Sequence, residues 1–274
     1  MTVLPQSRTP EGAAALAALV ADPASSLLTL DYDGTLAPIA TRPEDAVPAP
    51  GALAALTACT QVFDTVAIVT GRPAAVVVSL AGAASVDRLV VLGHYGEERW
   101  TRADGLVAPP EPAGLPAARR LLAERLRDLM AHGVAIEEKG LSVAVHTRAA
   151  DDPAGTLERA CATVLGIAEE TGLEVNHGRF LVELRGRGAA DKRTAIAGLC
   201  AERSPKSLLF AGDDLVDLPA YEAVEDFRRG GGHGVGIFVD NPEAVSVRDR
   251  ADVILPDTAA CVRFLHDLAD AAHR

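Results

Sequence analysis

Short apolar runs alternate with helix-like segments in the first third of the chain. Residues 27–30 (LLTL), 62–69 (VFDTVAIV) and 89–92 (LVVL) have the length and composition of buried strands. A helical pattern over residues 51–60 separates the first two runs, and another helix-like segment follows residues 70–73. Strands that alternate with helices are typical of a parallel, doubly wound sheet.

The pattern changes after a proline-rich stretch at residues 109–116. Residues 117–132 and 153–171 have a helical pattern, and each segment is followed by two short strand-like runs. We expect two hairpins, formed by residues 134–138 with 142–148 (turn at Lys139-Gly140) and by residues 173–176 with 180–184 (turn at His177-Gly178). This order indicates an α+β unit with helices on one face of an antiparallel sheet.

The alternation of strand and helix returns at residue 188. We expect a helix over residues 191–203 and strands over residues 207–210, 235–239 and 253–255. The chain is therefore predicted to have an α/β fold with a doubly wound, Rossmann-like parallel sheet. Residues 1–107 and 188–274 would form this core, and residues 108–187 an inserted α+β cap.

The composition is typical of a globular protein, because 49% of the 274 residues are hydrophobic and 23% are charged. The formal net charge of −12 argues against a broad nucleic-acid surface, which needs a basic footprint. We therefore expect no nucleic-acid partner. An anionic substrate would need a cation or a metal ion close by.

The cysteine spacing and the hydropathy of the chain bear on its location. The four cysteines contain no CxxC pair, which indicates buried thiols in a reducing compartment. No segment approaches the roughly 20 apolar residues that cross a bilayer, and Asp22 and Pro23 interrupt the apolar run at residues 13–20. We expect a soluble, cytoplasmic protein with no membrane partner.

Asp31 and Asp33 follow the first strand-like run and precede Gly34. Open α/β sheets bind ligands just outside the carboxyl ends of their strands, and two carboxylates there are costly unless a metal or a proton uses them. The pair is a candidate active site. Taken alone, the DxDG string is equally compatible with an Asp-Gly turn beside a capping aspartate.

Reactive groups recur at three further strand ends or helix starts. In chain order, the four segments are residues 31–35 (DYDGT), Thr70, Lys192 and residues 212–217 (GDDLVD). Together they resemble the four motifs of the haloacid dehalogenase-type (HAD) phosphatases. Four motifs in order are far more specific than any one of them.

Within that group, the chain resembles the trehalose-6-phosphate phosphatases. The similar blocks are LDYDGTLAPI, IVTGR, GHYGEE, EEKGLSVAVHTR, FLVELR and GVGIFV. The likeness extends over about residues 27–268. It implies a HAD core with a cap that closes during phosphoryl transfer, a sugar phosphate as the substrate, Mg²⁺ as the cofactor, a functional link to a sugar-phosphate synthase, and a monomer.

The resemblance implies four catalytic residues. Asp31 would attack phosphorus and form an aspartyl-phosphate. Asp33 would protonate the leaving sugar oxygen and then deprotonate the attacking water. Thr70 would donate a hydrogen bond to the phosphate, and Lys192 would offset its remaining charge.

The same resemblance implies a magnesium site. Mg²⁺ prefers oxygen ligands, which the carboxylates of Asp31 and Asp213 and the backbone carbonyl of Asp33 would supply. Asp214 is a further candidate ligand, although it could instead cap the next helix. Asp217 could orient Lys192 or metal-bound water, or lie on a surface helix.

Thr70 and Lys192 also have simple structural interpretations. A threonine that ends a strand before glycine is often a helix N-cap. Lys192 lies in the sequence Asp191-Lys192-Arg193, which could be a solvated helix start.

Substrate-binding residues are expected in both parts of the chain. In the core they are Gly71, Arg72, His94 and Glu97. In the cap, period-two alternation puts charged side chains on one sheet face and Val143 and Val145 on the other. The charged candidates are Lys139, His146, Arg148, Glu183 and Arg185. The alternative is an ordinary solvated antiparallel face.

The fourth motif departs from the family pattern, because Val216 and Leu218 replace the usual Thr and Glu. In addition, the family usually has an Arg-Pro pair and a Lys-Gly pair in its third motif, whereas here Gly186 follows Arg185 and Arg193 follows Lys192. The leading expectation is a Mg²⁺-dependent phosphatase that hydrolyses trehalose 6-phosphate. The alternatives are a phosphatase for a related compound (validoxylamine A 7′-phosphate type, sucrose phosphate), a sugar phosphomutase, or a catalytically silent relative that binds sugar phosphates.

Overall fold

The computed structural model describes residues 4–40, 42–178, 180–242 and 244–273. The chain divides into two compact units. The first unit comprises Met1–Ala108 and Ala190–Arg274, and the second comprises Pro109–Ala189. The first unit is interrupted after residue 108 rather than 107, and it resumes at residue 190 rather than 188.

The regular elements of the described residues are numbered in chain order. The strands are β1 Ser26–Leu30, β2 Thr65–Val69, β3 Leu89–Gly93, β4 Glu98–Thr101, β5 Gly105–Val107, β6 Ala135–Glu138, β7 Ser142–His146, β8 Glu174–Gly178, β9 Leu181–Arg185, β10 Ser207–Gly212, β11 His233–Val239 and β12 Val253–Leu255. The α-helices are α1 Pro10–Ala21, α2 Ala52–Val62, α3 Ala74–Leu80, α4 Leu115–Arg125, α5 Arg127–Met130, α6 Pro153–Thr171, α7 Lys192–Arg203, α8 Leu218–Arg229, α9 Val245–Arg248 and α10 Thr258–Ala272.

The sheet of the first unit has the order β12-β11-β10-β1-β2-β3-β4-β5. Neighbours from β12 to β3 pair in parallel, and β4 and β5 continue the sheet in antiparallel pairing. Leu28 packs in a core with residues of α1, α2, α3 and α10, whereas Leu27 packs in a second core with residues of α7 and α8. Because helices cover both faces, the strands are apolar on both sides. The predicted doubly wound α/β core is confirmed.

The second unit contains an antiparallel sheet in the order β6-β7-β9-β8. The apolar side of this sheet includes Val143, Val145, Val182 and Leu184, which pack in one core with residues of α4 and α6. The opposite side carries polar residues in register, because Ala144 pairs with both Glu137 and Glu183. This unit has the expected α+β arrangement.

Some predicted element boundaries were wrong. Val62 belongs to the last turn of α2 rather than to β2, and Phe63 then adopts an extended conformation. An apolar residue at a helix–strand junction fits either element, so hydropathy alone does not divide them. The segment expected as one helix over residues 117–132 is interrupted at Leu126, where φ is −100° and ψ is 9°.

The turn expected at His177-Gly178 was also wrong. Both residues belong to β8, where His177 pairs with Val182 and Gly178 with Leu181. Phe180, which has a left-handed φ of 51°, lies just before β9. The small antiparallel strands β4 and β5 had no counterpart in the prediction. Each is too short and too polar to be recognised as a strand from hydropathy.

No α-helix in the described part of the chain combines the length and the apolar character needed to cross a membrane.

Candidate active site

Asp31 and Asp213 lie at the carboxyl ends of the adjacent parallel strands β1 and β10. The pairing of Leu30 with Ala211 sets this register, and the Asp31 N–H donates to the Ala211 carbonyl at 2.8 Å. Gly34 turns the chain with a φ of 77°, and a Cβ at this position would overlap the Asp213 carboxylate. The close approach of the two strand ends therefore requires glycine at position 34.

Lys192 is the first residue of α7, and Asp191 caps that helix by accepting the Thr194 N–H. Its side chain is only 1% exposed, and its ammonium contacts Asp31 Oδ1 and lies 2.5 Å from Asp217 Oδ1. Burial alone would lower the pKa of Lys192, but the carboxylates of Asp217 and Asp31 outweigh it and raise that pKa. The alternative of a solvated helix start was wrong.

Asp217 is buried and connects Lys192 with the loop after β10. Its Oδ2 accepts the N–H groups of Asp213 at 2.8 Å and Asp214 at 3.0 Å, while Oδ1 accepts from Lys192. Asp217 is 0% exposed, so the surface-helix interpretation was wrong. The Asp214 carboxylate accepts the Leu215 N–H at 2.6 Å, as a capping residue does.

The acidic side chains at these strand ends fit a divalent cation. Carboxylate oxygens of Asp31, Asp213 and Asp217 all lie within 4.8 Å of one another. Among the described residues, the buried Oδ1 of Asp213 has no hydrogen-bond partner, whereas its Oδ2 accepts from Asn241 at 3.0 Å. A buried carboxylate oxygen without a partner is costly, and a hard cation such as Mg²⁺ would satisfy it.

Burial also disfavours the charge on these acids in the absence of a metal ion. It raises the pKa of Asp31 to about 8, and the neighbouring Asp217 adds to this effect while Lys192 opposes it. It raises the pKa of Asp213 to about 9, with further contributions from Asp217 and Asp31. Asp217 is the weaker candidate ligand, because both of its oxygens already accept hydrogen bonds.

Thr70 follows β2, the other neighbour of β1 in the sheet. It is buried, its N–H donates to the Leu92 carbonyl at 3.0 Å, and its Oγ1 accepts the Arg72 N–H at 3.2 Å. The hydroxyl thus stabilises the turn through Gly71, and its own hydrogen atom remains available as a donor. A Cβ at Gly71 would overlap the Tyr95 ring.

Asp33 and Arg72 form a two-point ion pair. Arg72 Nε lies 2.6 Å from Asp33 Oδ2, and Arg72 Nη2 lies 2.8 Å from Asp33 Oδ1. The Asp33 side chain is 37% exposed, unlike the buried Asp31. Substrate binding was the role predicted for Arg72, and no pattern in the sequence indicates this pairing.

His94 and Glu97 lie in the loop after β3 but differ in their exposure to solvent. His94 is buried, with Nε2 at 3.9 Å from Glu98 Oε1, whereas Glu97 is half-buried. Glu98, which the sequence analysis missed, is buried and accepts the Ala74 N–H at 2.6 Å. A signal for it was available, because an acid next to an apolar strand is unusual unless it is paired.

The second unit brings most of its predicted charged residues together on the polar face of its sheet. Glu183 is buried and accepts from the Ser142 hydroxyl at 2.7 Å, and Lys139 Nζ lies 3.4 Å from it. His146 Nε2 lies 2.7 Å from Oε2 of Glu137, a residue that the sequence analysis missed. This polar cluster is densely paired, unlike an ordinary solvated face.

The other two predicted cap residues have separate contacts. Arg185 Nε lies 3.0 Å from Glu174 Oε1. Arg148 is exposed, and its guanidinium carbon lies 5.8 Å from the centre of the Phe180 ring.

The chain matches known proteins over most of its length. The family model described as trehalose-phosphatase matches residues 29–258. A trehalose-phosphate phosphatase of Mycobacterium marinum is 34% identical over 249 residues, which are 87% of this chain and 60% of that protein. An uncharacterized glycosyl hydrolase of Mycobacterium tuberculosis is 34% identical over 253 residues, which are 88% of this chain and 18% of that protein. The chain thus spans less than two thirds of either relative.

Solved structures have the same fold. The crystal structure of a trehalose-6-phosphate phosphatase related protein has a TM-score of 0.70 at 26% identity, and the match covers 89% of this chain and 97% of that one. The parallel-dominated sheet and the inserted unit agree with the predicted HAD-type fold. The family match over residues 29–258 then gives the assignment: the chain belongs to the trehalose-phosphatase family of HAD-type phosphoric monoester hydrolases.

Proposed function

We propose that this chain is a Mg²⁺-dependent phosphatase that converts trehalose 6-phosphate to trehalose and phosphate through an aspartyl-phosphate on Asp31. The observation that carries the proposal is the contact of the buried Lys192 ammonium with Asp31, beside a buried Asp213 oxygen that has no hydrogen-bond partner among the described residues. Phosphoryl transfer requires a nucleophilic carboxylate, a fixed positive charge and an oxygen ligand for a cation.

The carboxylates of Asp31 and Asp213 and the backbone carbonyl of Asp33 would hold the metal ion, with Asp214 as a further candidate ligand. When bound, Mg²⁺ supplies positive charge that offsets the charge of the phosphoryl group and keeps both carboxylates ionised. Lys192 supplies a second, permanent positive charge, because Asp31 and Asp217 keep its ammonium protonated.

In the first step, an oxygen of Asp31 forms a bond to phosphorus and the bond from phosphorus to the sugar oxygen breaks. Asp33 donates its proton to that sugar oxygen, and trehalose leaves. In the second step, Asp33 takes a proton from water, the water oxygen bonds to phosphorus, and the bond to Asp31 breaks. Phosphate leaves, and the proton that Asp33 took from water has restored its starting state.

The remaining predicted residues bind the substrate. The Thr70 hydroxyl and the backbone N–H of Gly71 are proposed to bind phosphate oxygens, while the Arg72 N–H holds Thr70 Oγ1 in place. In the first unit, His94 and Glu97 are proposed to bind sugar hydroxyl groups, which need fixed donors and acceptors. In the second unit, the same role is proposed for the predicted charged residues. The latter residues are Lys139, His146, Arg148, Glu183 and Arg185.

Location and partners follow from the same proposal. We place the protein in the cytoplasm, because its four cysteines are free thiols. A disaccharide phosphate arises when a glycosyl group is transferred to a sugar phosphate, so the functional partner is a sugar-phosphate synthase. We propose that the catalytic form is a monomer.

The test is phosphate release from trehalose 6-phosphate, sucrose phosphate and validoxylamine A 7′-phosphate, each with Mg²⁺ and with EDTA. We expect metal-dependent release, fastest from trehalose 6-phosphate. Faster release from another compound would correct the substrate, and Val216 and Leu218 make this comparison necessary. Binding without release from any of them would identify a silent relative, and a requirement for a bisphosphate activator would identify a phosphomutase.

A further inference from the structure

We propose that Arg72 is a positioning residue for Asp33, whose ionised carboxylate it holds in the orientation needed to take the proton from the attacking water. The assignment rests on the proposed function, because that function gives Asp33 its role. It changes the role of the Arg72 side chain from substrate binding to the support of a catalytic residue.

The first observation is the geometry of the ion pair. Two guanidinium nitrogens donate to two different oxygens of one carboxylate, at 2.6 and 2.8 Å. This two-point arrangement fixes both the distance and the plane of the carboxylate. Asp33 needs such a partner, because a side chain with 37% exposure would otherwise be free to change rotamer.

The second observation is that the Arg72 side chain is itself held in place. Its third nitrogen, Nη1, donates to the Pro43 carbonyl at 2.7 Å. Its guanidinium carbon lies 5.9 Å from the centre of the Tyr32 ring, and the buried Tyr32 hydroxyl donates to the Ala46 carbonyl at 2.8 Å. The guanidinium therefore has a fixed position from which it can orient Asp33.

The third observation concerns the backbone of Arg72. His94 and Tyr95 have left-handed φ values of 46° and 58°, which are uncommon for residues other than glycine. In this turn, the His94 N–H donates to the Arg72 carbonyl at 3.0 Å, and the Tyr95 N–H donates to the Thr70 carbonyl at 2.8 Å. Backbone strain of this kind persists where the surrounding structure needs it. Here the hydrogen bonds from His94 and Tyr95 hold both ends of the Thr70–Arg72 turn.

These contacts also argue against a direct bond from the Arg72 side chain to phosphate. Three of its five N–H groups already donate to protein oxygens. A phosphate ligand would have to approach a guanidinium whose plane is already set by Asp33 and the Pro43 carbonyl. Positive charge for the phosphate is available instead from Lys192, whose ammonium contacts Asp31.

The experiment compares Arg72→Ala and Arg72→Lys with the wild-type protein in a Mg²⁺ buffer. Steady-state kcat and KM are measured on the best substrate of the panel, and the affinity for inorganic phosphate is measured by calorimetry. We expect kcat to fall on the order of 10- to 100-fold in Arg72→Ala, with KM and phosphate affinity within about twofold of wild type. Lysine cannot form the two-point pair, so Arg72→Lys should recover little.

A double-mutant cycle with Asp33→Asn separates the indirect role from a direct one. If Arg72 acts through Asp33, adding Arg72→Ala to Asp33→Asn should lower kcat by less than about threefold further. Arg102→Ala is the matched control, because Arg102 forms an exposed ion pair with Asp87 at 2.5 Å in the same unit. It should leave all three parameters unchanged.

The proposal is overturned if Arg72→Ala weakens phosphate binding or raises KM tenfold, or if its effect is undiminished in Asp33→Asn. It is also overturned if Arg72→Lys restores full turnover. The proposed function is tested separately, on the wild-type protein alone. If that protein neither releases phosphate nor binds inorganic phosphate, both the phosphatase function and the positioning role of Arg72 are wrong.

Discussion

The ammonium of Lys192 lies 2.5 Å from Oδ1 of Asp217, and both side chains are excluded from solvent. Removal of one partner from a buried ion pair leaves the other charge without compensation. Asp217 has a second task, since its other oxygen accepts the N–H groups of Asp213 and Asp214. One carboxylate therefore orders both the lysine and the acidic loop.

Asp217→Asn should destabilise the protein by about 3–5 kcal/mol, because an amide cannot replace the charge beside Lys192 and accept both N–H groups. Turnover should fall as well. Urea unfolding and kcat provide the two readouts. The matched control is Asp226→Asn, which breaks exposed contacts with Arg193 and Arg229 and should change the free energy of unfolding far less. Equal effects of the two substitutions would contradict the assigned role of Asp217.

Asp31→Asn should reduce phosphate release by about 10³-fold or more, because the amide is not a nucleophile. The variant should remain folded, because Asp217 still compensates the charge of the Lys192 ammonium. Phosphate release and circular dichroism test both statements. Covalent phosphate trapped by acid quench should be found in the wild-type protein and be absent from the variant. Retained turnover would exclude Asp31 as the nucleophile.

In EDTA, the free energy of unfolding should fall as the pH rises from about 4 to about 8. Asp31 has a pKa of about 8 in the folded protein against an ordinary value of 3.8, so the folded state binds more protons than the unfolded state across this interval. Asp213, with a pKa of about 9, acts in the same direction. Lys192 does not contribute there, because its pKa is raised from an ordinary value of 10.5 that lies above the interval.

Thermal unfolding at several pH values provides the measurement. Each kcal/mol lost should lower Tm by about 2–4 °C. Asp213→Asn should flatten the dependence, and Mg²⁺ should stabilise the wild-type protein more at pH 8 than at pH 6, because less proton release accompanies binding. A slope of opposite sign in EDTA would show that other groups dominate.

Glu183→Gln should lower kcat/KM for the sugar phosphate by roughly 10- to 100-fold, as expected for loss of a hydrogen bond to a charged group. Hydrolysis of p-nitrophenyl phosphate, which has no sugar, should change little. Glu169→Gln, at an exposed position of α6, is the control. Equal losses on both compounds would exclude Glu183 from sugar recognition.

Cys59 and Cys261 should not react with a thiol reagent at pH 8 while the protein is folded. Burial raises the pKa of both thiols to about 12, so the reactive thiolate is scarce and inaccessible. Cys161 and Cys200 are only partly buried and should react first. Mass spectrometry after timed labelling gives the order. Early labelling of Cys59 or Cys261 would indicate that the core around α2 and α10 opens readily.

The positions of Asp31, Thr70, Lys192 and Asp213 could be predicted because each follows a buried strand or starts a helix. Parallel strands bring such ends to one edge of a sheet. The partners of these residues could not be predicted in the same way. The pairing of Arg72 with Asp33 depends on side-chain rotamers across the edge, and the paired state of Asp217 depends on the exact path of the loop after β10.

The errors in local structure have a similar cause. Hydropathy identified the buried strands but not the polar pair β4 and β5, whose place at the edge of the sheet comes from tertiary pairing. The turn before β9 was misplaced because Gly178 was taken as the turn residue. The left-handed conformation belongs to Phe180, a residue type for which the sequence gives no such expectation.

The neighbouring strands β1 and β10 come from opposite halves of the chain, with the whole second unit between them in the sequence. During synthesis, a ribosome therefore releases Asp31 long before Lys192 and Asp213 exist. An N-terminal fragment that ends anywhere in the second unit contains Asp31, the proposed nucleophile, without Lys192 and without Asp213. We expect such a nascent chain to lack phosphatase activity, so that catalytic competence appears only after the residues up to Asp213 have been made.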